Sequence, residues 1–158
     1  MPDQRPLNYT TKIPAAQTVG ECQQILARAG ASSVAGHYND GDPVGLSFRL
    51  TTPHGARAFT LPVDVDAMRN ALIRAQAAGQ FASLKKSASA WTNRDHAANV
   101  AWRVVKDWLE ANLALIAAQM ATLSEVMLPY LHVDDDGRTL WQAYQAREQA
   151  AIEAAPGA

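Results

Sequence analysis

The sequence predicts an α+β fold: a small mixed or antiparallel sheet in the order β-α-β-β-β-α, followed by a helical C-terminal half with one long central helix. Three observations carry this. Val44, Leu46, Phe48 and Leu50 alternate with Gly45, Ser47, Arg49 and Thr51, the period of a strand with one buried face. Trp102, Val105, Leu109, Leu113, Ile116, Met120 and Leu123 recur at spacings of three and four, the stripe of an α-helix. Clusters of Gly, Pro, Asn and Asp punctuate the N-terminal half, as turns between short elements require. The chain reads as a single domain, 1–158, with an α+β part over 8–78, a basic connector over 79–94 and a helical part over 95–150.

The elements follow in order. Met1 to Leu7 is polar, with two prolines, and reads as a loose arm. Asn8 to Ile13 is rich in β-formers and predicts a first strand, stopped by Pro14. Thr18 and Glu21 match a capping box for a helix with Val19, Cys22, Ile25, Leu26 and Ala29 on its buried face and Gly30 as its stop. Ser32 to Tyr38 predicts a second strand, and the turn Asn39–Pro43 leads to the alternating strand from Val44. Pro53-His54-Gly55 turns the chain into a hairpin partner, Ala56 to Leu61. Asp64 caps a helix with Val65, Met68, Leu72 and Ala75 inward, closing near Gly79. Gly79 to Trp91 reads as a mobile connector. Thr92 and Asp95 resemble a capping pair for the long helix, Asp95 to Ala121. Thr122 with Glu125 is a capping box that breaks the helix and restarts it before Pro129. His132 to Gly137 is a turn, and Thr139 opens a last helix carrying Leu140, Trp141, Tyr144 and Ile152. Trp102, Trp108 and Trp141 are expected in the core, because large aromatics at helical spacing stabilise packing.

Composition narrows the function classes. The net charge of −1 gives no bulk attraction to nucleic acid or membrane, but residues 1–94 hold 10 Lys/Arg against 6 Asp/Glu and residues 95–158 hold 4 against 9. Cys22 is the only cysteine, so it is expected to be a core thiol in a reducing cytoplasm. The N-terminus has no apolar h-region, and no uncharged run is long enough to span a bilayer. There is no G-x-S-x-G, no Walker loop and no dinucleotide fingerprint, so no catalytic residues are assigned. His37, His54, His96 and His132 are scattered without a zinc spacing. Asp134-Asp135-Asp136-Gly137 fails as a calcium loop because its twelfth position is Gln145 rather than glutamate. Neither metal nor cofactor is expected. An enzyme reading would need a deep pocket joining His54 or His96 to two carboxylates.

Two stretches carry the functional expectation. The first is the acid-free run Ala67 to Arg94, with Arg69, Arg74, Lys85, Lys86 and Arg94 among Phe81 and Trp91. Cations neutralise phosphates and aromatic rings stack on unpaired bases, a mixture suited to single-stranded nucleic acid. Arg103 and Lys106, one turn apart on the long helix, extend it. The expected nucleic-acid-binding set is Lys85, Lys86, Trp91, Arg94, Arg103 and Lys106, with Trp91 as the base stacker. The second stretch is Ala111 to Ser124, which holds no charge. Its outward residues Ala114, Ala117, Ala118 and Ala121 form either a self-association interface or a surface buried under the last helix.

Several pieces resemble a family of small proteins of phages, prophages and other mobile elements that has no established activity. They are Tyr9-Thr10-Thr11, Ile13-Pro14, Thr18-Val19-Gly20-Glu21, Thr52-Pro53-His54-Gly55, Phe59, Leu61-Pro62, the run Ala101 to Trp108 and Met127-Leu128-Pro129-Tyr130. The resemblance implies an accessory protein in replication, recombination or the contest with host defence, and no site residues. The expected function is therefore a non-enzymatic accessory protein contacting nucleic acid, single-stranded DNA favoured. The alternative is a protein-binding module acting through the uncharged helix face, as a homo-oligomer or as an inhibitor of a host or defence enzyme.

Overall fold

Turn chemistry sets the sheet. The computed structural model describes residues 2–157. Asp40 and Gly41 both have positive φ, 50° and 84°, the geometry of a two-residue hairpin loop whose twist suits the flanking strands. It joins β1 (Ser33–Asn39) to β2 (Asp42–Thr52), and the Pro53-His54 turn joins β2 to β3 (Gly55–Pro62), giving an antiparallel sheet in the order β1-β2-β3. Leu46, Phe48, Leu50, Phe59 and Leu61 turn to one face and are buried, with the Phe48 and Phe59 rings stacked 5.6 Å apart. At Gly45 a Cβ would stand 2.9 Å from the Leu61 carbonyl, so only glycine lets β3 come this close.

Helices cover that face. They are α1 (Ala15–Arg28), α2 (Val65–Ala77), the short α3 (Ala88–Thr92), α4 (Arg94–Ala117), α5 (Leu123–Met127) and α6 (Leu140–Ala154), with a 3₁₀ turn at Leu128–Tyr130 between the last two. α1 and α2 both pack on α4, and one hydrophobic cluster draws on the sheet and on α1, α2, α3, α4 and α5. The α+β class, the small antiparallel sheet and the long helix stand as the sequence predicts.

Several local expectations are corrected. Asn8 to Ile13 is not a strand: Asn8 adopts φ 62°, its amide donates to Asp107 on α4, and the chain turns so that Tyr9 stacks on Phe81 at 5.5 Å. Residues 2–7 are strapped rather than loose, through Gln4 and Pro2 to Gln80. α1 begins before Thr18, which is fully buried inside it; the free N–H of Ala15 is capped by Asn99 Oδ1 of α4 at 2.8 Å. Asn93, not Thr92, caps α4, accepting from the His96 N–H at 2.8 Å. The connector is pinned at both ends, since Phe81 and Trp91 are buried and stack 5.1 Å apart. The Thr122–Glu125 capping box is formed, with α4 already ended at Ala117. Trp102 is core, Trp108 is partly buried, and Trp141 is not core.

Candidate functional site

Of the six residues of the expected basic patch, Trp91 is buried and Arg94, Arg103 and Lys106 are paired with acids. Trp91 is 4% exposed, stacked on Phe81 and edge-on to His96, with the Lys86 ammonium 5.2 Å from its centre, so no ring face is left for a base. Arg94 binds Asp42 at 2.6 Å and also Asp66, partners that hold its pKa above the ordinary range. Arg103 reaches Glu21 at 2.5 Å, and hydrogen bonds from Gln17 and Arg103 keep the Glu21 carboxyl below the usual glutamate range. Lys106 binds Glu110 at 2.9 Å along α4 and lies mostly against the protein. Among the six residues, Lys85 and Lys86 alone stay exposed without an acidic partner among the described residues. Trp91 as a base stacker is thus corrected: the ring is a core member of the strap that closes over α4.

The uncharged helix face fares differently. Ala114, Ala117 and Ala118 are exposed and Ala121 is half-buried, while Leu115 and Met120 add exposed apolar surface beside them. A hollow of about 450 Å³ opens here, walled by Leu50, Leu113, Ile116, Ala117 and Leu123. The last helix does not lie over this surface; its packing centres on the Leu128–Tyr130 turn.

α6 opens at Thr139 as the sequence predicts, but Trp141 stands outside the core. Its root is firmly set. Thr139 is buried and forms a capping box with Gln142, the Leu140 N–H donates to the Leu131 carbonyl at 2.8 Å, and bridges join His132 to Thr139 and Leu131 to Phe59. Beyond this root no residue of the helix is buried. Trp141 and Tyr144 are 51% and 53% exposed, stacked on each other at 5.7 Å, and Ile152 is 70% exposed. The signal in the sequence was the alanine and glutamine between these residues, which leaves the helix no continuous apolar face for a core.

No family model, no curated protein and no solved structure matches this chain.

Two further places bear on chemistry. Across the outer face of the sheet runs a row with one residue from each strand and His132 from beyond the 3₁₀ turn: His37 Nε2 to Ser47 Oγ at 2.5 Å, Ser47 Oγ to Thr60 Oγ1 at 2.7 Å, and Thr60 Oγ1 to His132 Nε2 at 2.5 Å. Beside the hairpin, a hollow of about 370 Å³ is lined almost wholly by apolar atoms, with Phe59, Leu128 and Leu131 as walls and His54 and Arg57 at its rim. No carboxylate lines it. His96 is half-buried and donates Nε2–H to the Tyr9 carbonyl at 2.7 Å. No three His, Cys, Asp or Glu side chains converge on a metal position among the described residues, and no described helix is long and apolar enough to cross a membrane. Cys22 is fully buried, and burial raises its thiol to about 11, so it is a packing residue and not a nucleophile.

Proposed function

We propose that this protein is a non-enzymatic protein-binding module that presents α6 to a partner. The observation that carries the reading is a fifteen-residue helix with a fixed root, no buried residue and a stacked Trp141–Tyr144 pair in solvent. A helix of this length is marginal without tertiary packing. Large exposed aromatics at helical spacing are what a groove on a partner reads. In a phage or mobile-element setting, which the resemblance implies, the module serves as an accessory protein that assembles with itself or docks on a host or defence enzyme. The lone reduced Cys22 suits a cytoplasmic site of action.

Nucleic-acid contact is the second reading and keeps Lys85 and Lys86 as its cations. Two charges release few counterions and support only weak binding. Light scattering at low salt, with and without a single-stranded oligonucleotide of about 30 bases, long enough for several stacking sites, separates the readings. The expected result is a mass that the oligonucleotide leaves unchanged. A larger complex that dissolves with salt and is lost in Lys85→Glu/Lys86→Glu would return nucleic acid to first place.

A further inference from the structure

We infer that the partner of α6 is a second copy of this chain, each copy laying α6 into the apolar hollow beside the other's β2–β3 hairpin; this rests on the protein-binding reading. Trp141, Tyr144, Glu148 and Ile152 fall on one stripe of α6 at spacings of three and four. The stripe is thus apolar at both ends with one carboxylate between. The hollow matches this pattern: Phe59, Leu128 and Leu131 give apolar walls, and Arg57 at the rim is exposed and makes no ion pair among the described residues. Glu148 against Arg57 completes the charge match.

The helix does not fill its own hollow: none of its residues lines it, and the bonds at Leu131, His132 and Thr139 hold its root in place. Both halves of the contact flank the same turn. Leu128 walls the hollow, while Leu131 both walls it and holds the root of α6, so a two-fold axis beside Leu128–Tyr130 sets helix against hollow twice and closes the assembly. Seating Trp141, Tyr144 and Ile152 hides roughly 350 Å² per helix, and the hollow adds little, so two seats make the small interface of a weak dimer.

Sedimentation velocity from low micromolar to near-millimolar protein tests this on the full chain, Arg57→Glu, Glu148→Arg and the double reversal, with hydrogen exchange of 140–154 followed in each sample. The full chain is expected to dimerise. Each single reversal should weaken the dimer at least about tenfold, and the double reversal should restore it. Circular dichroism should be alike for all four, since Arg57 and Glu148 are exposed. A dimer that ignores the single reversals would overturn the seating. A monomer whose 140–154 amides exchange as if unfolded would overturn the second copy and leave α6 to another protein. A monomer with those amides protected would overturn both the inference and the reading beneath it.

Discussion

Trp102 holds two layers together by two means. Its ring is fully buried on α4, and its Nε1–H donates to the Pro43 carbonyl at 2.9 Å, tying the helix to the first residues of β2. Trp91 is buried too, but its Nε1–H has no protein partner. The two should therefore respond differently to the same truncation. Trp102→Phe loses packing and orphans a carbonyl, at a cost of about 3 kcal/mol, whereas Trp91→Phe loses packing alone and should cost about 1 kcal/mol less. Urea unfolding of the two variants checks the order. His96 gives the pH dependence at this scale. Burial lowers its pKa below 6.5, opposed by the bond to Tyr9 and aided by Lys86. The unfolded chain then binds the proton more readily, so this contribution to stability is complete above about 6.5 and is lost as pH falls from there through the folded value. An imidazole NMR titration midpoint at or above 6.5 would contradict it.

Among the elements, β2 and β3 were legible because Leu46, Phe48 and Leu50 and then Phe59 and Leu61 are buried at every second position, and the turn between β1 and β2 carries a glycine where φ is positive. α2 and the Thr122 break were legible through caps lying within three residues of the N–H they satisfy. The start of α1 was not, because its capping oxygen comes from Asn99, far along the chain. The false first strand shows the same limit: β-forming residues there are overruled by Asn8 bonding to Asp107 and by Tyr9 stacking on Phe81. For the candidate site, the charged residues were identifiable but their partners were not, since Arg94 and Arg103 spend their charge on Asp42, Asp66 and Glu21 from other elements. α6 is held by its cap more than by packing, which makes a direct prediction. Thr139→Ala should cost about 1 kcal/mol of helix, seen as faster amide exchange confined to 140–154 while the core amides stay protected.

At the scale of the molecule, the two oppositely charged halves meet in an ion pair, Arg103 of the acidic half with Glu21 of the basic half, while Arg94 pairs with Asp42 and Asp66 inside the basic half. What remains unbalanced is apolar surface: Leu115 and Met120 at the end of α4, Leu128 at the turn, and Trp141, Tyr144 and Ile152 on α6. If α6 binds a second copy, stability must depend on concentration by mass action. The melting midpoint of the full chain should rise with protein concentration, and that of a chain ended after Thr139 should not. Equal slopes would place the self-association elsewhere.

The row His37–Ser47–Thr60–His132 has three hydrogen bonds but its two hydroxyls own only two protons between them. The third must come from an imidazole. At least one of His37 and His132 is therefore protonated at Nε2; where the other accepts there, it is the Nδ1–H tautomer and the two hydroxyls point in a common direction. In that arrangement reversing the direction exchanges the tautomers, so the nitrogen chemical shifts of His37 and His132 change together along the row.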